Sequence, residues 1–246
     1  MSKQPLVIVT GAAKGIGKAI CKKLVDDGFY VIAVDMDEEA GAMLINESGR
    51  ETVAFYKVDI SSEQQVRVLF ADVKNKFGTV DAVVNNAGII RDNLIWNMSA
   101  GDFDAVVNVN LKGTWLMCRE AAILMKAQQS GKIVNIASRA WLGNRGQSNY
   151  SASKAGVVAL TRVLALELGK YNVSVNAVAP GLIDTPLTQK LSADVLQKLI
   201  AAQPSKSMGS PGDVANAVSF LVSGNTQFIT GQTIYVDGGK SIGANM

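Results

Sequence analysis

Tyr150 and Lys154 stand four positions apart in Tyr150-Ser151-Ala152-Ser153-Lys154, at the start of a long helical pattern. That spacing puts both on one helix face. Free tyrosine, with a pKa of about 10, is a poor base at neutral pH. A neighbouring ammonium, joined by an oxidised nicotinamide cation, favours the phenolate. Lowering the pKa by about three corresponds to roughly 4 kcal/mol. Such a pair could move the proton of a secondary alcohol. The motif alone also fits an ordinary surface pair, so its neighbours decide. Ser138 ends the strand-like run Lys132-Ile133-Val134-Asn135-Ile136-Ala137, 12 residues before Tyr150. It could donate to a substrate oxygen while Tyr150 exchanges the proton, or simply cap a loop. The chain has no histidine. A histidine base, a Ser-His-Asp system and a histidine-bound metal are therefore excluded, and Tyr150 has few rivals.

A second group of residues could hold phosphate. The run Thr10-Gly11-Ala12-Ala13-Lys14-Gly15-Ile16-Gly17 joins a strand to a helix. Gly11 permits the tight turn, Gly15 lets backbone approach a pyrophosphate, and Gly17 allows close helix–sheet packing. The unpaired N–H groups of the helix start then face the phosphates. Asp35 ends the second strand, 18 residues past Gly17. There a carboxylate accepts hydrogen bonds from the adenosine ribose hydroxyls and repels a 2′-phosphate, favouring NAD over NADP. Asp35 could instead cap a helix. Lys14 argues the other way on the cofactor, because a cation in the turn could pair with that phosphate. Asn85-Asn86-Ala87-Gly88 forms another polar, glycine-bearing turn at the same sheet edge. Asn110 interrupts an apolar helix of Val106, Val107, Val109 and Leu111. A buried amide there needs partners, and a water chain through Lys154 would supply them.

Positioning these groups requires alternating elements. Short β-branched runs predict strands at Leu6–Val9, Tyr30–Val34, Val53–Val58, Asp81–Val84, Lys132–Ala137, Val173–Ala179 and Thr233–Val236. Helical patterns separate them at Gly15–Asp26, Asp37–Ser48, Ser62–Phe77, Phe103–Lys126, Tyr150–Lys170 and Pro211–Ser223. The alternation means βαβ units and one α/β domain over 1–246, a Rossmann-type doubly wound parallel sheet with helices on both faces. The stretch from Pro180 to about Met208 contains a predicted short helix, Ser192–Ala202, and is where a substrate lid over about 181–208 belongs.

Bulk composition narrows the setting. Apolar residues make up 48% and charged residues 18%, enough for a large core. Lys+Arg 24 against Asp+Glu 21 gives +3, too mild and evenly spread to argue for nucleic acid or an anionic membrane. Cys21 and Cys118 are the only cysteines, so no disulfide framework or cysteine metal site is expected. The apolar segment Leu6–Val9 is too short for a membrane span, and a cytoplasmic setting is expected.

The glycine turn, Asp59, Asn85–Gly88, Asn110, Ser138, Tyr150 with Lys154, and Pro180-Gly181 occur in this order. The chain thereby resembles the short-chain dehydrogenase/reductase family from end to end, as far as Asp237-Gly238-Gly239. The resemblance implies a seven-stranded sheet and a catalytic set of Asn110, Ser138, Tyr150 and Lys154. Tyr150 would be the general acid/base and Ser138 would polarise the carbonyl or alkoxide. Lys154 would tune the tyrosine and hold the nicotinamide ribose, and Asn110 would hold the water of a proton relay. Asp59, with Ile60 beside it, would meet the adenine, and Asn86, Ala87 and Gly88 the nicotinamide side. Pro180 and Gly181 would open the lid, with Ile183 and Thr185 near the carboxamide, while Gly11, Lys14, Gly15, Ile16 and Gly17 hold the pyrophosphate. A homotetramer is implied too, with Phe103–Lys126 and Tyr150–Lys170 at one dimer interface.

Within the family, Arg91-Asp92-Asn93-Leu94 and Gly146-Gln147-Ser148-Asn149-Tyr150 are most similar to 3-oxoacyl-[acyl-carrier-protein] reductases. Those enzymes commonly prefer NADPH and carry arginines that dock the acidic carrier. Here the matching regions read Ala127-Gln128-Gln129-Ser130 and Lys170-Tyr171-Asn172. With Asp35, this favours an NAD-dependent dehydrogenase for a smaller secondary alcohol or ketone. The alternative is an NADPH-dependent 3-oxoacyl reductase of fatty acid synthesis. Trp141, Leu142, Ile90 and Leu187 are candidate pocket walls.

Overall fold

The computed structural model describes residues 4–242. Seven strands form one parallel sheet: β1 Leu6–Thr10, β2 Tyr30–Asp35, β3 Val53–Lys57, β4 Ala82–Asn85, β5 Gly131–Ile136, β6 Val173–Pro180 and β7 Thr233–Val236. Their order is β3-β2-β1-β4-β5-β6-β7. The chain moves outward from β1 to β3 and then crosses back to β4. The switch leaves a crevice beyond the carboxyl ends of β1 and β4, where such sheets bind ligands.

Strand residues alternate between two apolar layers. Leu6, Ile8, Ile32, Val34, Val83, Ile133 and Val175 face one layer. Helices α3 (Glu63–Phe77), α5 (Thr114–Gln128) and α6 (Ser148–Leu168) close it with Val66, Leu69, Leu116, Met117 and Leu164. Val7, Val9, Val31, Ala33, Val84 and Val134 face the other. There α1 (Gly15–Asp26), α2 (Glu38–Ser48) and α8 (Pro211–Val222) contribute Ile20, Leu24, Leu44, Val214 and Val218. Burial on both faces explains why these strands read as unbroken apolar runs.

The helix predicted over Phe103–Lys126 differs from what forms. A short helix α4 (Ala100–Val107) runs into a π-helical segment, Asn108–Gly113, and then into α5. Gly113 lets this segment pack closely on Ile60, whose Cδ1 would lie 2.8 Å from a Cβ there. The helix predicted from Tyr150 begins at Ser148, so Tyr150 stands in its first turn. The lid stretch carries a helix α7, Ala193–Ala201, with no buried residue.

Gly17 is the tightest point of the glycine turn. A Cβ there would lie 1.9 Å from Gly11 O and 2.6 Å from Asn86 Nδ2. The obstacle is backbone, so the turn itself must move. Gly17→Ala should cost about 2–3 kcal/mol and lower the melting temperature by roughly 5–10 °C. Calorimetry checks this; an unchanged melting temperature contradicts the close approach.

Candidate active site

The carboxyl ends of β1 and β4 are stitched together by side chains. Thr10 Oγ1 accepts the backbone N–H groups of Asn86 (3.0 Å) and Ala87 (3.1 Å). The Asn86 amide donates to Thr10 O (3.0 Å) and Gly11 O (2.9 Å). Gly11, at φ 62°, is packed so closely that a Cβ would sit 2.7 Å from Ala87 Cα. The glycine turn and the Asn85–Gly88 turn therefore form one rigid floor, in which Asn86 is spent on holding the glycine turn.

The start of α1 suits an anion. Ser and Asp side chains cap α2, α3, α4 and α8. At α1 the cap position is Lys14, which supplies no side-chain acceptor, and the first turn holds no acid. Its orphan N–H groups remain available to a ligand. Beyond them lie Thr185 and Pro186, 3.8 and 3.9 Å from where a Cβ of Gly15 would stand. The turn and the segment after β6 thus bound a cradle of the kind a pyrophosphate needs, and the residues fit a dinucleotide. Ile183 is buried and pairs with Gly209 across an isolated bridge. Thr185 exchanges hydrogen bonds with Thr188. Pro180 is the buried end of β6, and Gly181 closes against Asp237, whose Cβ lies 2.7 Å from where a Cβ of Gly181 would stand.

The Asp35 carboxylate anchors backbone. Its Oδ2 accepts Ala13 N at 3.0 Å, and its Oδ1 accepts Met36 N (2.8 Å) and Asp37 N (3.1 Å). The helix cap is Asp37, not Asp35, because Asp37 takes Ala40 N. Lys14 is ion-paired to Asp37 at 2.5 Å. Asp59 Oδ1 holds Ser61 N and Ser61 Oγ, and Ile16 and Ile60 pack into the two apolar layers.

Catalytic candidates gather beyond the end of β5 and on the loop after β4. The Ser138 hydroxyl lies near enough to the Tyr150 phenol to act on its titration. Ser138 Oγ also accepts Ala140 N at 3.1 Å, capping the 3-10 turn Arg139–Leu142. The loop cap expected of it is present. Lys154 is buried, donates to Ile136 O at 2.7 Å, and lies 5.7 Å from the Tyr150 ring centroid. Asn110 is fully buried in the π segment. It brackets the Ile89 backbone, accepting Ile89 N at 2.8 Å and donating to Ile89 O at 3.0 Å, with Ser153 Oγ at 3.3 Å. Its protein partners are therefore a loop backbone and a serine. Asn110 and Lys154 do meet at Gly88, where a Cβ would lie 3.2 Å from Asn110 Oδ1 and 3.6 Å from Lys154 Nζ.

Electrostatics differ from the sequence expectation. Burial raises the Tyr150 pKa, the Ser138 hydroxyl partly offsets this, and the Asp92 carboxylate adds to the rise. Burial also pushes Lys154 down to about 8. The protein by itself therefore holds tyrosine as phenol, because desolvation outweighs the Ser138 hydroxyl.

Several positioning residues escaped the sequence reading. Buried Asn149 donates to Arg91 O at 2.8 Å and accepts Tyr150 N at 2.7 Å, fixing the first turn of α6. Gln147 Nε2 holds Asp92 at 2.8 Å. Asn85 donates to Asn135 (2.8 Å), which donates to Thr161 (2.9 Å), tying β4, β5 and α6 together beneath the site. Only the frequency of Asn at strand and helix ends hinted at this. Of the pocket-wall candidates, Trp141 packs against the small buried cluster of Ala137, Val157, Val158, Ala177 and Ala179, whereas Ile90, Leu142 and Leu187 are exposed.

A family model described as enoyl-(acyl carrier protein) reductase matches residues 11–241. The chain is 41% identical over 239 residues to the (2S)-[(R)-hydroxy(phenyl)methyl]succinyl-CoA dehydrogenase subunit of Thauera aromatica, covering 96% of each chain. It is 41% identical over 240 residues to a 3-oxoacyl-[acyl-carrier-protein] reductase of Thermotoga maritima, covering 96% of this chain and 97% of the relative. The crystal structure of levodione reductase is similar at a TM-score of 0.93 and 33% identity, covering 98% of both chains.

The buried lysine leaves a measurable mark on stability. Below pH 8 its amine is charged in folded and unfolded chains alike, so folding bears the full cost of burying an ammonium. Between pH 8 and 10.5 the folded protein releases the proton while the unfolded chain keeps it, and stability rises with pH. Lys154→Met removes this dependence. The variant's stability relative to wild type should therefore fall by roughly 3 kcal/mol from pH 7 to 10.5, read by denaturant unfolding. A difference that stays constant with pH contradicts the burial cost.

Proposed function

The chain belongs to the short-chain dehydrogenase/reductase family of oxidoreductases acting on CH–OH groups, and from that premise we propose that it interconverts a secondary alcohol and a ketone with NAD(H). The observation that carries the chemistry is the convergence of Ser138, Tyr150 and buried Lys154 at the ends of β5 and α6. Gly11, Gly15, Gly17 and the open start of α1 hold the pyrophosphate. Asp35 takes the adenosine ribose and Asp59 the adenine. Asn86, Ala87, Gly88, Ile183 and Thr185 border the nicotinamide. When bound, the nicotinamide accepts or supplies the hydride.

The chain's own residues handle the proton. Ser138 donates to the substrate oxygen and orients it toward Tyr150. In the oxidative direction the Tyr150 phenolate takes the hydroxyl proton, and in the reductive direction the phenol returns it. Lys154 supplies the positive charge that favours phenolate, and Asn110, beside it at Gly88, positions the water of a relay toward solvent. Because burial alone opposes the phenolate, the enzyme reaches its reactive state only with a further positive charge at the site.

NAD is preferred on the evidence of charge. Asp35 ends β2 and is held against the glycine turn, with Asp37, Glu38 and Glu39 following. A second reading, an NADPH-dependent 3-oxoacyl reductase, is favoured by the likeness to the Thermotoga maritima enzyme. A homotetramer is the proposed assembly. Its support is the exposed apolar set Trp115 and Ile123 on α5 and Val163 and Leu166 on α6, the last 86% exposed. Among the described residues no helix is long and apolar enough to cross a membrane.

Nicotinamide absorbance with a panel of cyclic, aliphatic and aromatic secondary alcohols should show oxidation with NAD. No turnover of any of them, together with fast acetoacetyl-carrier reduction by NADPH, replaces this reading with the second. Tyr150→Phe should lower kcat by at least about a hundredfold while NAD still binds; undiminished turnover defeats the mechanism. Leu166→Glu should shrink the assembly in light scattering, and an unaltered tetramer excludes the α5–α6 face.

A further inference from the structure

Lys14 and Asp37 belong to different loops that the fold brings together. Ala12 N donates to Val34 O at 3.2 Å and Ala13 N to Asp35 Oδ2 at 3.0 Å, so the glycine turn lies along the end of β2. Asp35 Oδ1 then takes the N–H groups of Met36 and Asp37, curling the chain back toward the turn. The two oxygens of Asp37 are divided. Oδ1 caps α2 through Ala40 N at 3.0 Å, and Oδ2 holds the Lys14 ammonium at 2.5 Å.

The pair flanks Asp35 on both sides, at the corner where the adenosine ribose would lie. Lys14 is the cation of the glycine turn and the one placed to meet a 2′-phosphate. Neighbouring lysines are engaged as well: Lys18 with Glu47, Lys22 with Glu47, and Lys57 with Glu38. No arginine occurs between Asp35 and Gly49. A 2′-phosphate arriving here would meet the carboxylates Asp35 and Asp37 and an ammonium already taken.

We propose that Asp37 is a specificity-determining residue that rejects NADP by holding Lys14, so that the turn's cation cannot serve a 2′-phosphate. This rests on the reading that Asp35 and the glycine turn hold the adenosine end of a nicotinamide dinucleotide. The role is distinct from that of Asp35, which opposes the phosphate by its own charge and anchors backbone. It also accounts for a lysine in the turn of a protein whose second strand ends in a carboxylate. The ion pair is exposed, with side chains 66% and 37% accessible. Exposed pairs are weak, so the lock opens once Asp37 is removed without disturbing the fold.

The test is a double-mutant cycle on dinucleotide binding, read by calorimetric titration of NAD and NADP into the full-length protein. Asp37→Ser keeps an N-cap oxygen for Ala40 N and so preserves α2. It should tighten NADP by about tenfold and leave NAD within about twofold. In a Lys14→Ala background the same substitution should gain at most about threefold for NADP. An equal gain in both backgrounds shows that Asp37 acts by charge alone and overturns the lock, as does no gain in NADP affinity. A wild-type protein that binds neither dinucleotide removes the underlying reading instead, so the two failures are told apart.

Discussion

The contact between the ends of β1 and β4 governs the site. Two strands that are neighbours in space but separated in sequence by two βα units meet there, and their loops must leave a crevice without leaving polar groups unpaired. Thr10 and Asn86 meet both demands. The threonine hydroxyl satisfies two N–H groups of the Asn85–Gly88 turn, and the asparagine amide satisfies two carbonyls of the glycine turn. Only glycine fits at positions 11 and 17 under that constraint. Asn85, one residue earlier, passes the constraint inward to Asn135 and Thr161, and so to the helix that carries Tyr150 and Lys154.

A parallel sheet covered on both faces also explains the energetics of the catalytic pair. Lys154 reaches the carbonyl of Ile136 only by entering the apolar layer between α6 and β5, and there it loses its hydration. Tyr150 is half-buried, with its phenol end desolvated. Burial opposes the charged form of each group. At neutral pH the protein alone thus holds the tyrosine as phenol beside a lysine that stays charged below pH 8. The absence of histidine is consistent with the proposed use of Tyr150 as proton carrier.

Much of this was legible in the sequence, for identifiable reasons. Unbroken β-branched runs located the strands because both faces of a parallel sheet are buried. Tyr150 and Lys154 were legible because a helix fixes the geometry of positions four apart. Asn110 stood out as an amide among valines, but its bracket on Ile89 did not, because that contact joins elements distant in sequence. The pairing of Lys14 with Asp37 was hidden for the same reason: each residue lies in a loop whose course depends on the other. The helix cap, the alternative use of Asp35, falls instead to Asp37, the carboxylate that directly precedes the first turn of α2.

The π-helical segment has a consequence for chain length. Each turn of such a segment holds one more residue than an α-helical turn would, and one residue corresponds to a rotation of about 100° around the helix axis. The segment at Asn108–Gly113 thus acts as a phase adjuster between α4 and α5. Asn110 can face Ile89 and Ser153 while α5 keeps Leu116, Met117 and Ala121 on the sheet. Viewed as a history of insertions and deletions, this helix cannot lose a residue here silently. A deletion in the segment would restore ordinary periodicity at the expense of either the buried amide or the apolar face, so its length is constrained even where the identities of its exposed side chains are not.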